Sequence, residues 1–312
     1  MRRRTFSAVI FYFGGNMKQG VVIVNAYSDS ETELNQSVRL QEEFSRMGVK
    51  LAILRNNRFA VRLNERGGIV NELSAYDFCV YLDKDKYVSA LLEGAGMRLF
   101  NCAKAIADCD DKMQTFLALA GAEIPMPATL SGFLCYTPQK AVLSEALDRV
   151  ERLIGYPVVV KECYGSLGKW VYKADDRKQL IDLAERLKCK PHLFQRFVAE
   201  STGKDLRVIA VGGKPIAAMK RTSESDFRSN IELGGRGEPY PITEEITRLT
   251  ERVCARLRLD YCGIDYLFGK EGLLVCEVNS NAFFGGIEKI TGVNAAKAYA
   301  RHIYKSVYKE KV

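Results

Sequence analysis

Histidine is nearly absent: only His192 and His302 occur in 312 residues. A histidine-rich metal site is thereby excluded, and imidazole acid–base chemistry is not expected. The nine cysteines, at 79, 102, 109, 135, 163, 189, 254, 262 and 276, are odd in number and never at Cys-x-x-Cys spacing, against a zinc or dithiol motif. Thiols scattered through apolar runs point to a reducing cytoplasm. Beyond the first residues no apolar run approaches a membrane span, and there is no internal repeat or low-complexity tract. The net charge of +8 includes Arg2, Arg3 and Arg4 at the start and is otherwise spread out. It lacks the basic cluster with interleaved aromatics of a nucleic-acid binder and suits anionic small molecules.

What is present is apolar content, 47% of the chain, enough for two or three lobes. "MRRRTFSAVIFYFGGN" has a basic start and a short apolar stretch but no small-residue cleavage site, so an upstream extension ahead of Met17 is expected. "GVVIVNAY", "VKLAILRN" and "DFCVYLDKD" read as buried parallel strands, with Ser30 and Glu33 as a capping box for the helix after the first. This is an open α/β lobe ending near residue 105.

"DCDDKMQTFLALAGAEIPMP" predicts a capped helix joining two lobes, and Thr137 with Pro138 predicts the start of another that Gly155 closes. "YPVVVKECYGSLGKWVYKA" predicts two strands around a glycine loop, and "LRVIAVGGKPIAAM" a hairpin turning at Gly212 and Gly213. Further helices are expected in "DDRKQLIDLAERLK", in "TEEITRLTERVCARLRL" and over residues 293–308. The later two-thirds is α+β in character.

Within "GIDYLFGKEGLLVCEVNSN", "KEG" predicts a three-residue hairpin loop with Gly272 left-handed, so that Gly269 pairs with Leu273 and Asp265 stands opposite Glu277. Asn279 shares their face, while Ile264, Tyr266, Phe268, Leu274, Cys276 and Val278 take the other. Opposed carboxylates repel unless a proton or cation lies between them. An all-oxygen set suits Mg²⁺ or Mn²⁺; the alternative is a solvated face, or carboxylates paired with nearby Lys and Arg. Lys161, if inward, needs an anion. Gly165, Ser166 and Gly168 let backbone N–H groups approach phosphate, or simply make a tight turn. In "MKRTSESDFRSN", Lys220, Arg221, Arg228 and Asn230 are the donor types that clamp a phosphoryl group, or a solvated face. Lys112, a cation in a first helical turn, calls for a nearby anion.

The order of strand Lys and glycine loop, "LFQRFVAESTGKDLRV", "DFRSN", Asp and Glu followed by "VN", then "GIEKITG", resembles the ATP-grasp superfamily and, more narrowly, the RimK-like ATP-dependent carboxylate-amine ligases. The likeness runs from about residue 105 to 304. With the expected leader over 1–16 set apart, it implies an open α/β pre-ATP-grasp domain over 17–105, and a two-lobed ATP-grasp fold with a central lobe over 106–195 and a C-terminal lobe over 196–312. It implies that Lys161 meets nucleotide phosphates, that Arg196 and Phe197 meet adenine through their backbone, and that Asp205 holds the ribose. Arg228, Ser229 and Asn230 would face the γ-phosphate and acceptor carboxylate, with Arg221 and Lys112 as further phosphate contacts. Arg228 and Asn230 are the catalytic candidates, and Asp265, Glu277 and Asn279 the metal ligands for ATP-bound Mg²⁺ or Mn²⁺.

Where the family resembles N-x-S-P-G after the metal Asn, this chain has "NSNAFFGG", so Asn281, Phe283 and Phe284 border a substrate that the resemblance leaves unnamed. The implied activity is amide formation through an acyl-phosphate, joining an amino acid such as glutamate to a peptide, protein or cofactor in the cytoplasm. Neither nucleic acid nor membrane is an expected partner, and self-association is left open. Another small-carboxylate ligase, or a nucleotide-binding regulator without turnover, is the alternative.

Overall fold

The valine- and isoleucine-rich run after Lys18 is suited to the middle of a sheet covered on both faces, and it takes that position. The computed structural model describes residues 18–28, 31–166, 168–229 and 234–308. The expected leader and Met17, together with Ser30 of the expected capping box, lie outside them. The first sheet is parallel, in the order β2-β1-β5-β6, from β1 (Gln19–Val24), β2 (Lys50–Arg55), β5 (Phe78–Tyr81) and β6 (Leu99–Phe100). The short antiparallel pair β3 (Val61–Leu63) and β4 (Ile69–Asn71) was not foreseen. Helices α1 (Glu31–Ser45) and α2 (Lys86–Gly94) belong to this lobe.

The expected linking helix is two, α3 (Ala103–Asp110) and α4 (Lys112–Leu119). Asp111 takes an extended conformation between them and caps α4, accepting from the N–H groups of Met113 and Gln114. The second sheet is antiparallel, β7-β10-β8-β9, made of β7 (Thr129–Ser131), β8 (Val158–Glu162), β9 (Val171–Ala174) and β10 (His192–Arg196). Its core is shared with α5 (Ser144–Leu153) and α6 (Arg177–Leu187). Helix α5 starts later than Thr137 and Pro138 predict. The N–H groups of Cys135 and Val142 are bonded instead to Lys188 O and to the Glu185 carboxylate at the end of α6, which holds the segment as a turn.

The third sheet, β13-β12-β11-β14-β15, is antiparallel throughout, from β11 (Lys204–Val211), β12 (Lys214–Thr222), β13 (Arg236–Pro239), β14 (Tyr261–Gly269) and β15 (Gly272–Asn279). The β11–β12 hairpin turns at Gly212 and Gly213, both with positive φ, as the sequence predicts. One face packs on α4 and α7 (Glu244–Leu257). On the other face, Ile209 and Val211 join a core built with α8 (Gly285–Thr291) and α9 (Ala295–Tyr308). That core also holds Val22, Phe44 and Phe78, so the final helix ties the first sheet to the third. Lys18 Nζ donates to Tyr304 Oη at 2.5 Å and lies 4.9 Å from the centre of the Tyr308 ring. Among the described residues no helix is long and apolar enough to cross a membrane.

The β14–β15 turn corrects the sequence reading. Gly269 pairs with Gly272, leaving a two-residue loop, and a bulge next to Asp265 restores the predicted pairing of Asp265 with Glu277. Because of the bulge, Val275 rather than Leu274 enters the core, and Cys276 faces the same cavity as Glu277.

Candidate active site

Strand alternation builds the site. Val158 and Val160 of β8 point into the core of the second sheet, which leaves Val159 and Lys161 on the opposite face. Leu206, Val208 and Ala210 of β11 point towards α7, placing Asp205 and Arg207 on the other side. The two faces enclose an open cleft between the second and third sheets. It is lined by Lys112, Lys161, Gly165, Ser166, Gly168, Arg196, Phe197, Asp205, Arg221, Arg228, Ser229, Asp265 and Glu277. Of the residues predicted for the site, Asn279 does not line the cleft, and Asn230 lies outside the described residues. Four other candidates do not line it: Lys220 pairs with Glu238, Asn281 donates to Leu82 O, Phe284 is buried in the core with α8 and α9, and Phe283 is not among the lining residues, so the expected substrate border at 281–284 does not reach this cleft.

A row of charges crosses four strands. Asp205 is the cross-strand partner of Arg221, Arg207 of Asp265, and Asp265 of Glu277. Arg221 donates to both oxygens of Asp205, at 2.7 and 2.5 Å, and lies 3.0 Å from Asp265. Arg207 closes on Asp265 through Nε and Nη2. Burial pushes the Asp265 carboxyl up, but the two guanidinium groups outweigh it and hold the group below the usual carboxylate range. For Asp205 burial wins over Arg221, and the carboxyl is raised. The four groups cancel in formal charge. Glu277 stands beside them with Lys112 Nζ at 3.5 Å.

Lys161 is different. It is 6% exposed, its Nζ lies 3.5 Å from the Cys276 thiol, and among the described residues it makes no ion pair. Burial raises the Cys276 pKa and keeps the thiol neutral. An ammonium buried without a carboxylate is a seat for an anion.

Two of the predicted residues are engaged within the protein. Asp205, expected on a ribose, has both oxygens engaged by Arg221, with the Ser229 hydroxyl added; it orients that arginine. Arg228, expected on a transferring phosphoryl group, uses Nε and Nη2 on Asp226 and Nη1 on Gly168 O at 2.5 Å. It clasps the glycine loop to the loop before Ser229. Arg207, which sequence reasoning missed, was detectable as a charge two residues after Asp205 in an otherwise apolar strand. Arg196 turns its guanidinium to the end of α5, so its backbone remains as the wall of the cleft, beside the Phe197 ring packed on Phe227.

Gly165 has φ +126°, and a Cβ there would stand 2.3 Å from Cδ1 of Trp170, the chain's single tryptophan. Gly165→Ala is expected to cost about 1–3 kcal/mol and to shift Trp170 emission, measured by urea unfolding and fluorescence. Unchanged stability and emission would show that the loop does not hold this conformation.

The oxygen set of Asp265, Glu277 and Asn279 suits a hard cation. Among the described residues no group of three or more His, Cys, Asp or Glu could hold a metal alone. Of the three, Asp265 and Glu277 are cross-strand partners that line the cleft, two carboxylates of the kind Mg²⁺ combines with phosphate oxygens.

A sequence model of the RimK-like ATP-grasp domain matches residues 109–303. The chain is 42% identical over 208 residues to N-acetylaspartylglutamate synthase A of Homo sapiens, covering 66% of this chain and 52% of that one. It is 34% identical over 217 residues to a probable alpha-L-glutamate ligase of Maridesulfovibrio salexigens, covering 69% of each. The chain spans about half the length of the curated synthases it matches. The solved structure of the ATP-grasp ligase PsnB, complexed with a minimal precursor, Mg and ADP, superposes with a TM-score of 0.67 at 20% identity, over 93% of this chain and 98% of that one. The three sheets are thus those of an ATP-grasp fold, and with more than half of its sequence matched by the domain model, the chain belongs to the RimK-like ATP-grasp family.

Proposed function

We propose that the protein is an ATP-dependent ligase joining a carboxylate to an amine. The observation that carries this is Lys161, a buried cation without a carboxylate partner, in the same cleft as Glu277 and a glycine loop. Nucleotide phosphates answer that charge. Asp265, Glu277 and Asn279 would hold Mg²⁺, which when bound neutralises phosphate charge.

A substrate carboxylate oxygen attacks the γ-phosphorus; the bond to the β-phosphate oxygen breaks, giving ADP and an acyl-phosphate. The amine nitrogen then attacks the acyl carbon, inorganic phosphate leaves, and the nitrogen loses its proton. No side-chain nucleophile is needed, in keeping with so few histidines. Lys161 positions the phosphates. Arg207 has Nη1 unbonded among the described residues, beside Gly263, the partner of Asn279, and is assigned to the acceptor carboxylate and oxyanion. Arg221, oriented by Asp205 and Asp265, adds fixed positive charge.

The names of its relatives make glutamate the first amine to try, and N-acetylated or polycarboxylic acids the first acceptors. Nine free cysteines suit a reducing cytoplasm. The test supplies MgATP, glutamate and a panel of such acids, with mass detection of products. ADP should be released only when acid and amine are both present, together with a new amide. MgATP binding without ADP release under any combination would favour a nucleotide-responsive regulator.

A further inference from the structure

Three cations from three parts of the chain hold the glycine loop. Arg228 reaches Gly168 O, Lys112 Nζ donates to Gly165 O at 2.7 Å, and Lys84 Nζ donates to Ser166 Oγ at 3.1 Å. The first two line the cleft. Lys84 does not, and neither does any other residue of the first lobe.

Lys84 is fixed on several sides. Its ammonium is 2.9 Å from the Asp110 carboxylate at the end of α3. Its backbone N–H donates to Asp83, whose carboxylate also accepts from Asn25 and Asn56, just beyond the C-terminal ends of β1 and β2. The preceding carbonyl but one, Leu82 O, accepts from Asn281, in the loop after β15. One lysine therefore touches the sheet end of the first lobe, the connecting helix and the glycine loop.

The chemistry of the contact with Ser166 is directional. An ammonium can only donate, so Ser166 Oγ must accept, and its own proton is left to point elsewhere. Ser166 lines the cleft, and a hydroxyl held this way offers its O–H to an acceptor oxygen there. We propose that Lys84 is a positioning residue: it sets the Ser166 hydroxyl as a donor towards nucleotide phosphate and makes nucleotide affinity depend on the first lobe. This rests on the nucleotide reading of the cleft.

Trp170 supplies a readout independent of turnover, because it packs on Gly165 in the same loop. MgADP is titrated against the full chain, following Trp170 emission and, separately, heat. Lys84→Met and Ser166→Ala are each expected to weaken MgADP binding about three- to tenfold, and the double variant no further than the worse single one. Lys84→Arg, which keeps a donor, should recover most of the affinity, and Lys84→Met should shift the emission of the free protein. Wild-type binding with Lys84→Met within about twofold of it and unshifted emission would overturn the inference alone, as would additive losses in the double variant. No MgADP binding by the wild-type protein would overturn the nucleotide reading and the inference with it.

Discussion

Lys161→Met should abolish measurable ligation while making the nucleotide-free protein more resistant to heat. Lys161 is buried on β8, and among the described residues no carboxylate pairs with it. Methionine keeps most of the stem volume and removes only the charge. Without the ammonium, the phosphates lose a preorganised donor in a site shielded from water, worth about 10²–10³ in rate. In the absence of nucleotide the sign reverses, because an unpaired buried ammonium opposes folding. Thermal melting with and without MgADP checks both halves. A variant that melts lower than the parent and still shows the full MgADP-dependent rise would remove Lys161 from the phosphate site.

Arg221→Met is expected to be the most damaging single change to the fold. Its guanidinium is shared by Asp205 and Asp265, which are both nearly sealed from solvent. Arg207 still covers Asp265 in the variant, but Asp205 loses both of its charged bonds. Removing one partner of a buried pair costs about 3–5 kcal/mol, readable by urea unfolding, and adding Asp205→Asn should restore part of it. The pH dependence separates the two aspartates. Asp265 has a lowered carboxyl in the fold, so its contribution is full above the unfolded carboxylate pKa and is lost as pH falls through the folded value. Asp205 is raised, so the folded state holds its proton more tightly and its contribution grows as pH falls. At neutral pH, Asp265→Asn should therefore destabilise more than Asp205→Asn. The reverse order would place the strong pairing on Asp205.

Much of this site was legible because alternation in a strand declares which side chains share a face. Lys161 among valines, and Asp265 with Glu277 in an apolar hairpin, were conspicuous for that reason. The hairpin count reached the right pair through a wrong turn. A loop of two residues rather than three displaced the register by one, and the bulge moved it back. Nothing in "LLVCEVN" marks where a bulge falls, since it depends on packing Val275 and Val278 together into the core.

What a strand cannot declare is who sits across from it in another part of the chain. Arg207 meets Asp265 at a separation of 58 residues, and Arg228 meets Gly168 at 60. The partners that Asp205 and Arg228 have within the protein were not read from the sequence. Asp205 is engaged by Arg221 across the β11–β12 hairpin, and Arg228 by Asp226 two residues before it as well as by the distant Gly168.

The contact of Lys18 with Tyr304 and Tyr308 brings the two ends of the described polypeptide together. Viewed as a path rather than a set of lobes, the backbone is nearly a closed circuit. A short linker from Tyr308 to Lys18 would let the 18–308 segment be opened elsewhere, for instance near the exposed Tyr136 on the turn before α5, giving a circular permutant of that segment with the same three sheets.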